Sequence, residues 1–309
     1  MIIHWQRRAV WLAIVVTWAG LEIFAAGAAE PLRWKLQTGE RFRVEIGQFN
    51  KQIVEFQENK IETPHDTTFL MTWSVDAVDD DGTIHLTQVI DRITLTTNAP
   101  GQGKVTYDSA ADEDPTGIAA MFAKVMGPLV GAKLVQTMND RGENLEVNIP
   151  EEALAGFQGN PIAKQMISDD FIKEMYTKAL PAFPEKSLEE GDDWSSSEVS
   201  QSPLGRMTFD NTYTYQGTED REGRSLARIG VTTKVALAEG EASPLGALVK
   251  IKNQESSSVI LFDSDAGYLV ETRTVQKMNM TVNILGNDMD QKVESIQTFT
   301  LQPASGDDR

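Results

Sequence analysis

Alternation of apolar and polar residues dominates the chain. Over 268–285 one face carries Val270, Thr272, Met278, Met280, Val282 and Ile284, with Thr274 and Gln276 between them. The opposite face carries Glu271, Arg273, Lys277, Asn279 and Asn283, with Val275, Thr281 and Leu285 as less polar members. A period of two places one face in a core and leaves the other to water, the signature of an antiparallel sheet. Segments rich in Val, Ile, Thr and aromatics recur at 41–56, 69–76, 83–97, 207–216, 225–237, 256–262 and 289–301, most of them bounded by turn residues. A flat strand of 18 residues would span roughly 60 Å, so the long segments should twist, bulge or coil. In 83–97 the apolar set runs Ile84, Leu86, Val89, Ile93, Leu95. That change of parity predicts one inserted bulge residue between Leu86 and Val89.

Helical spacing is confined to the middle. Asp114-Pro115 offers an N-cap and a proline at the first helical position. Ile118, Met121, Phe122, Val125 and Met126 follow at helical intervals, and Gly127-Pro128 ends or kinks the run. A second helix, over about 161–180, is predicted from Ser168 as a cap and from Phe171, Ile172, Met175 and Ala179 on one side. The tail at 304–309 is small and polar and reads as disordered.

Turn elements repeat in order. LQTGERF (36–42) returns as LEEGDDW (188–194), 152 residues later with the same Leu, Gly and aromatic spacing. The acidic turn ending at Gly82 has a counterpart ending at Gly223, and Asp140-Arg141-Gly142 is echoed by Asp265-Ala266-Gly267. The shrinking offsets fit a degenerate duplication with a helical insertion in the first half. The predicted class is mainly β (α+β): a large curved antiparallel sheet, or a partly closed barrel, built from two pseudo-repeated halves with a few amphipathic helices inserted in the middle. The expected organisation is a signal peptide at 1–29, a first β-rich half at 30–180, a second at 181–303 and the tail.

The start of the chain changes where this sheet is expected to reside. Arg7 and Arg8 precede an apolar run and then Ala25-Ala26-Gly27-Ala28-Ala29, the three-part layout of a secretory signal. A retained anchor is the rival reading, and Glu22 within the run disfavours it. The chain has no cysteine, hence no lipid-modified N-terminus and no disulfide. A periplasmic or secreted protein is expected. Removing 1–29 takes away Arg7, Arg8 and Glu22 and leaves a net charge of −19 against −18 for the whole chain. Such a surface repels nucleic acid and anionic lipid, so no nucleic-acid partner and no stable membrane insertion after signal cleavage are expected.

The segments LRWKLQTGERFRVEI, DDDGTIHLTQVIDRITLTTNAPG, YDSAADEDP, LVGAKLVQTMNDRGENLEV, FPEKSLEEGDDW and VQKMNMTV, in that order, resemble a family of exported bacterial proteins frequent in planctomycetes and known only as a domain of unknown function. The resemblance implies export and a largely β structure. It brings no activity, cofactor or site residue.

Candidate chemistry is sparse. The histidines are His4, within the signal, His65 after Pro64 in a polar loop, and His85 on the strand face opposite Ile84 and Leu86. With no cysteine beside them, neither a transition-metal site nor a nucleophile–histidine pair is expected, and no Gly-x-Ser-x-Gly or His-Glu-x-x-His motif occurs. The acidic turns at 79–82 and 263–265 lack the order of a calcium-binding hand and read as solvated hairpins. Met278 and Met280 share a face with Val282 and read as packing rather than copper ligands. No catalytic residue, metal or cofactor is assigned. The favoured expectation is a non-catalytic binding or carrier protein with an apolar groove under the helices, lined by Met121, Phe122, Met126, Phe171 and Met175. Its partner would be an apolar ligand or an envelope protein. A structural or protein-interaction module of the envelope is the alternative, and a carboxylate-dependent hydrolase follows at a distance.

Overall fold

A computed structural model of the chain describes residues 30–56, 59–99, 101, 103–158, 180–202, 205–242, 249–284 and 287–304. The expected signal at 1–29, the expected helix at 161–180 apart from Leu180, and the tail beyond Ala304 lie outside the described residues. In chain order the elements are β1 (Arg41–Phe56), β2 (Asn59–Val78), β3 (Ile84–Ala99), β4 (Gly103–Asp108), α1 (Gly117–Met126), β5 (Lys133–Met138), β6 (Asn144–Asn148), α2 (Glu151–Gln158), β7 (Asp193–Ser202), β8 (Gly205–Arg221), β9 (Arg224–Ala242), β10 (Val249–Asp263), β11 (Tyr268–Ile284) and β12 (Asn287–Pro303).

All twelve strands form one sheet in the order β6-β5-β3-β2-β1-β12-β11-β10-β9-β8-β7, with β4 paired to β3 off that path. Each half is a meander, and the strands nearest the two chain ends, β1 and β12, pair antiparallel to join the halves. The sheet does not close. Its two edges, β6 and β7, are consecutive strands, so the connection carrying α2 leaves one edge and returns at the other. Of the two predicted architectures, the open sheet holds and the barrel does not.

The repeated turns occupy equivalent places in the two meanders. Gly39 N–H donates to Val75 O, and Val75 N–H returns a bond to Glu40 O, both at 2.9 Å. Gly191 N–H likewise donates to Tyr215 O at 2.8 Å, and Tyr215 N–H to Asp192 O at 2.9 Å. In each turn an acidic side chain accepts from the residue three positions earlier: Gln37 N–H to Glu40 Oε2 at 2.7 Å, Glu189 N–H to Asp192 Oδ2 at 3.0 Å. The strand aromatics that follow pair in matching register, Phe42 with Trp73 and Trp194 with Tyr213. A register shift then follows Val75 in one half and Tyr215 in the other. Both glycines need a positive φ, +90° and +94°, which costs glycine nothing sterically. The two turns therefore share backbone hydrogen bonds as well as residue types.

Local differences from the sequence reading have physical causes. The bulge in β3 sits at Asp91, between Ile90 and Arg92, not between Leu86 and Val89. Gln88, rather than Val89, takes the buried face, because Gln88 Nε2 donates to Gln136 Oε1 and Gln136 Nε2 to Asn144 Oδ1. Once its amide is satisfied, a glutamine can occupy a core position. Asp91 stays wet and accepts from Thr72 Oγ1 at 2.8 Å. Helix α1 begins after Thr116, two residues beyond the expected cap, and ends at Met126, where Gly127-Pro128 was expected to end or kink it, with a 3-10 turn following at Gly127–Leu129. Helix α2 was not expected. Glu151 and Glu152 in its first turn suit the helix dipole, and Ala153 and Leu154 are buried.

The core lies on one face of the sheet, hereafter the inner face, toward one end of the strands. Phe42, Val44, Met71, Trp73, Ile229 and Leu301 line it there. Over them pack the segment bearing Leu32, Trp34 and Leu36, the helices, and Leu180, Phe183 and Leu188 from the chain returning to β7. This end is called proximal below. The hairpin between β1 and β2 and that between β11 and β12 mark the distal end.

Candidate functional site

Pairing register assigns a face to the paired residues of the six central strands, β3, β2, β1, β12, β11 and β10, while the bulge residues Asp91 and Lys252 bond to Thr72 and Asp290 on the outer side. Along all six, no inner-facing residue is charged. The charges lie on the outer face, where Lys51 meets Glu62 at 3.0 Å, Lys292 meets Glu55 at 3.1 Å and Lys252 meets Asp290 at 2.7 Å. Such exposed pairs contribute little to stability individually, but they record which face meets water.

From the proximal core outward, the inner face changes character in steps. Phe69, Ile46 and Phe299 form the last fully apolar row. Next come Thr67, Gln48, Gln297 and Thr274 in one register, and His65, Asn50, Ser295 and Gln276 in the next. Beyond them the rows are mixed: Gln52 and Thr63 share a register with Val293 and Met278, then Ile61, Val54 and Met280 share one with Gln291, and Val282 follows. The distal rows are half-buried or exposed, and no described helix or loop packs over them. Met278 and Met280 are thus on the apolar side, as expected, but beyond the core rather than inside it.

The flanks of this polar band are bonded internally. His65 Nδ1 and Thr97 Oγ1 lie 2.8 Å apart, as do Ser258 Oγ and Thr274 Oγ1. Thr233 Oγ1 donates to Asn211 Oδ1 at 2.7 Å, and Asn211 Nδ2 to Ser196 Oγ at 3.2 Å. His65 therefore stands in β2, not in a loop. Pro64 sits one residue past the last β2–β3 pair, where a residue without an N–H is tolerated. Tyr213, beneath this flank, has its phenol pushed above the usual range by burial.

Among the described residues, the buried indole N–H groups of Trp73 and Trp34 have no hydrogen-bond partner. Trp73 belongs to the inner face and packs on Phe299 at 5.7 Å between ring centres.

The residues expected to line a groove are only partly brought together. Met121, Phe122 and Met126 share α1, but Met121 is 66% exposed. Phe122 packs on Tyr107 at 5.2 Å, and Met126 packs against the core. Phe171 and Met175 lie outside the described residues. The inner-face polar rows escaped the sequence reading, although their signal was present: an uncharged alternate position at Gln48, Asn50 and Gln52 beside charged Lys51 and Glu55.

The acidic turns are occupied with their own backbones. Asp81 accepts from Thr83 N–H at 3.0 Å, and its carboxyl is lowered chiefly for that reason. Asp79 meets His85 at 2.9 Å, and Asp263 accepts from Ala266 N–H at 2.9 Å. Among the described residues no three His, Asp or Glu side chains converge as a metal site would require. No described helix is long and apolar enough to cross a membrane.

The strongest electrostatic perturbation joins β3 to β4 and is structural. Arg92 holds Asp108 with both Nε and an Nη, and Ala110 N–H adds a third bond at 3.0 Å. The Arg92 hydrogen bonds come first among the causes that lower the Asp108 carboxyl from 3.8 to about 2. Because the folded value lies below the unfolded one, this stabilisation is complete above about pH 4 and fades as pH falls toward 2. In Arg92→Gln, carbon-detected NMR should show Asp108 titrating nearer 4, with acid unfolding starting at higher pH than in the parent. An unchanged Asp108 titration would remove Arg92 as the cause.

A family model for a family of unknown function, DUF6263, matches residues 81–267, more than half of the chain. The chain belongs to that family. The match runs from the acidic turn before β3 to the glycine closing the β10–β11 hairpin. No curated protein matches the chain. Among solved structures, lipovitellin has a similar fold at a TM-score of 0.50 and 12% identity, over 88% of this chain and 26% of its own. The chain thus spans about a quarter of that protein's length. DynF, from the dynemicin biosynthesis pathway of Micromonospora chersina, matches at a TM-score of 0.23 and 8% identity, over 92% of this chain and 90% of its own. The second likeness is too weak to bear on the fold.

Proposed function

We propose that this member of the family is an exported, non-catalytic binding protein that holds an apolar ligand against the inner face of the sheet, next to α1. The observation that carries the reading is the charge-free inner face of six adjacent strands, continuing past the core into rows that no described element covers. A sheet face stripped of charge on one side and laced with ion pairs on the other is built to meet something less polar than water. Lipovitellin, whose sheet is similar, was solved to describe its lipid–protein interactions, and the same kind of face suits an apolar ligand here. Along α1, Phe122 and Met126 face the core and Met121 remains free to meet a ligand at the margin.

Native mass spectrometry of the full chain purified from its host should find a bound apolar molecule. The emptied protein should bind Nile red with a blue shift in emission. A ligand-free mass together with a silent dye would sink the proposal.

A further inference from the structure

We infer that the ligand of the inner face is an uncharged amphiphile, an acyl chain bearing hydroxyl or ester oxygens as in the monoacylglycerol class. The inference rests on the binding role proposed above and narrows it. Its basis is the centre of the polar band, where β1, β12 and β11 meet. Gln48, Asn50, Gln276, Ser295 and Gln297 stand there in two adjacent registers, and none of these side chains has a hydrogen-bond partner among the described residues. On the flanks of the same band the polar groups satisfy one another. Free donors and acceptors are therefore densest in this patch, with Gln52 and Gln291 continuing them singly into the distal rows. Their chemistry is that of amides and a hydroxyl, which bond to hydroxyl and ester oxygens in either direction.

The surroundings of the patch fix the rest of the ligand. On the distal side Met278, Met280 and Val282 follow one another on the inner face of β11, with Val293 beside Met278 and with Gln291 between Met280 and Val54. At about 3.4 Å per residue, β11 alone offers roughly 13 Å of apolar track from position 278 to 282. An acyl chain fits that track while its head lies on the amides.

Charge decides the kind of head. The nearby cations, Lys51, Lys252 and Lys292, project from the outer face and are bonded to Glu62, Asp290 and Glu55. A carboxylate or phosphate head placed on the inner patch would lose water without gaining a countercharge, and the chain's net charge of −18 opposes its approach. A cationic head fares no better. Among the described residues from β3 to β10 no paired inner-facing position carries a carboxylate, and Glu198 lies across the sheet on edge strand β7.

Competition on the delipidated full chain tests the idea with two ligands that share one tail. Nile red is bound first, then displaced by 1-monodecanoylglycerol or by decanoate at pH 8. The glycerol ester is expected to displace dye at a concentration at least about tenfold lower. The preference should persist in 0.5 M NaCl, where the Debye length is only about 4 Å and general repulsion is screened. Gln48→Leu/Asn50→Leu should lose most of the preference, read as the ratio of the ester and decanoate displacement midpoints within the variant, and should fold normally since neither side chain has a protein partner to leave orphaned. Gln297→Lys should improve displacement by decanoate.

Dye binding with decanoate competing as well as the ester overturns this inference and leaves the binding role standing. A preference that vanishes in high salt does the same. Failure of the parent chain to bind dye, or a dimer whose formation excludes dye, overturns both.

Discussion

Replacing Phe262 by alanine is expected to cost about 3–5 kcal/mol of folding stability, read as a fall in the urea midpoint at unchanged slope. Phe262 is fully buried on β10, paired to Ala227 of β9 and Leu269 of β11. Its ring stands edge-on to Phe183 at 4.8 Å and to Trp34 at 5.8 Å. Those partners belong to neither neighbouring strand. Trp34 arrives before β1, and Phe183 arrives on the way to β7. One side chain thus fastens both covering segments to the sheet. Truncation opens a cavity that two large rings cannot collapse into without releasing their own packing. Phe262→Leu preserves most of the volume and should cost less than about 1.5 kcal/mol. A fall below about 1.5 kcal/mol in the alanine variant would show that the covering segments are held elsewhere.

Phe262 was legible in the sequence as a strand residue, but its partners were not. The strand signal worked where β-forming residues alternate, as in β1, found at 41–56, and β11, found at 268–285 and observed as Tyr268–Ile284. It failed where pairing overrides propensity. The run from Asn59 to Thr68 carries Pro64 and three charged residues, Lys60, Glu62 and Asp66, and reads as a loop. Yet it extends β2 because β1 offers a partner at every position from Arg41 to Phe56. Edge strand β7, with Ser195, Ser196, Ser197, Ser200 and Ser202, has little intrinsic preference and is set by β8. Short β4, β5 and β6 are likewise fixed by what lies beside them.

The candidate face divides along the same line. Its apolar distal members were visible by period, since Met278, Met280 and Val282 alternate with polar residues. Its amide patch spans three strands, and Gln48, Gln297 and Gln276 are far apart in sequence. Only the β1–β12 pairing, between strands at opposite ends of the chain, assembles it. The likeness of the two turns was readable because a glycine at positive φ and an acidic cap are local requirements, and local requirements leave fixed spacing behind.

Substituting alanine for Gly142 should destabilise the chain by about 2–5 kcal/mol, far more than the same change at Gly39. Both glycines hold positive φ, +86° and +90°, and leaving that region to a residue with a Cβ costs about 1–2 kcal/mol in either place. At Gly39 a Cβ would meet nothing within 4 Å. At Gly142 it would sit 2.6 Å from Trp34 Nε1 and 2.8 Å from Pro181 O, a buried indole and a backbone oxygen. Displacing them adds about 1–3 kcal/mol. The site cannot yield easily because the β5–β6 hairpin is tied to both neighbours. Trp34 N–H donates to Asp140 O at 2.7 Å, and Phe183 N–H donates to Arg141 O at 2.9 Å. Arg33 ties the two segments further, reaching Pro184 O at 2.9 Å and Glu185 O at 3.0 Å. The hairpin ends at β6, one edge of the sheet, and Phe183 leads toward β7, the other. Gly142→Ala therefore strains the junction through which the open edges of the sheet are held in place. Paired urea titrations of the two alanine variants isolate the packing contribution as their difference. Equal losses at Gly39 and Gly142 would mean that backbone strain alone acts and that the junction adapts.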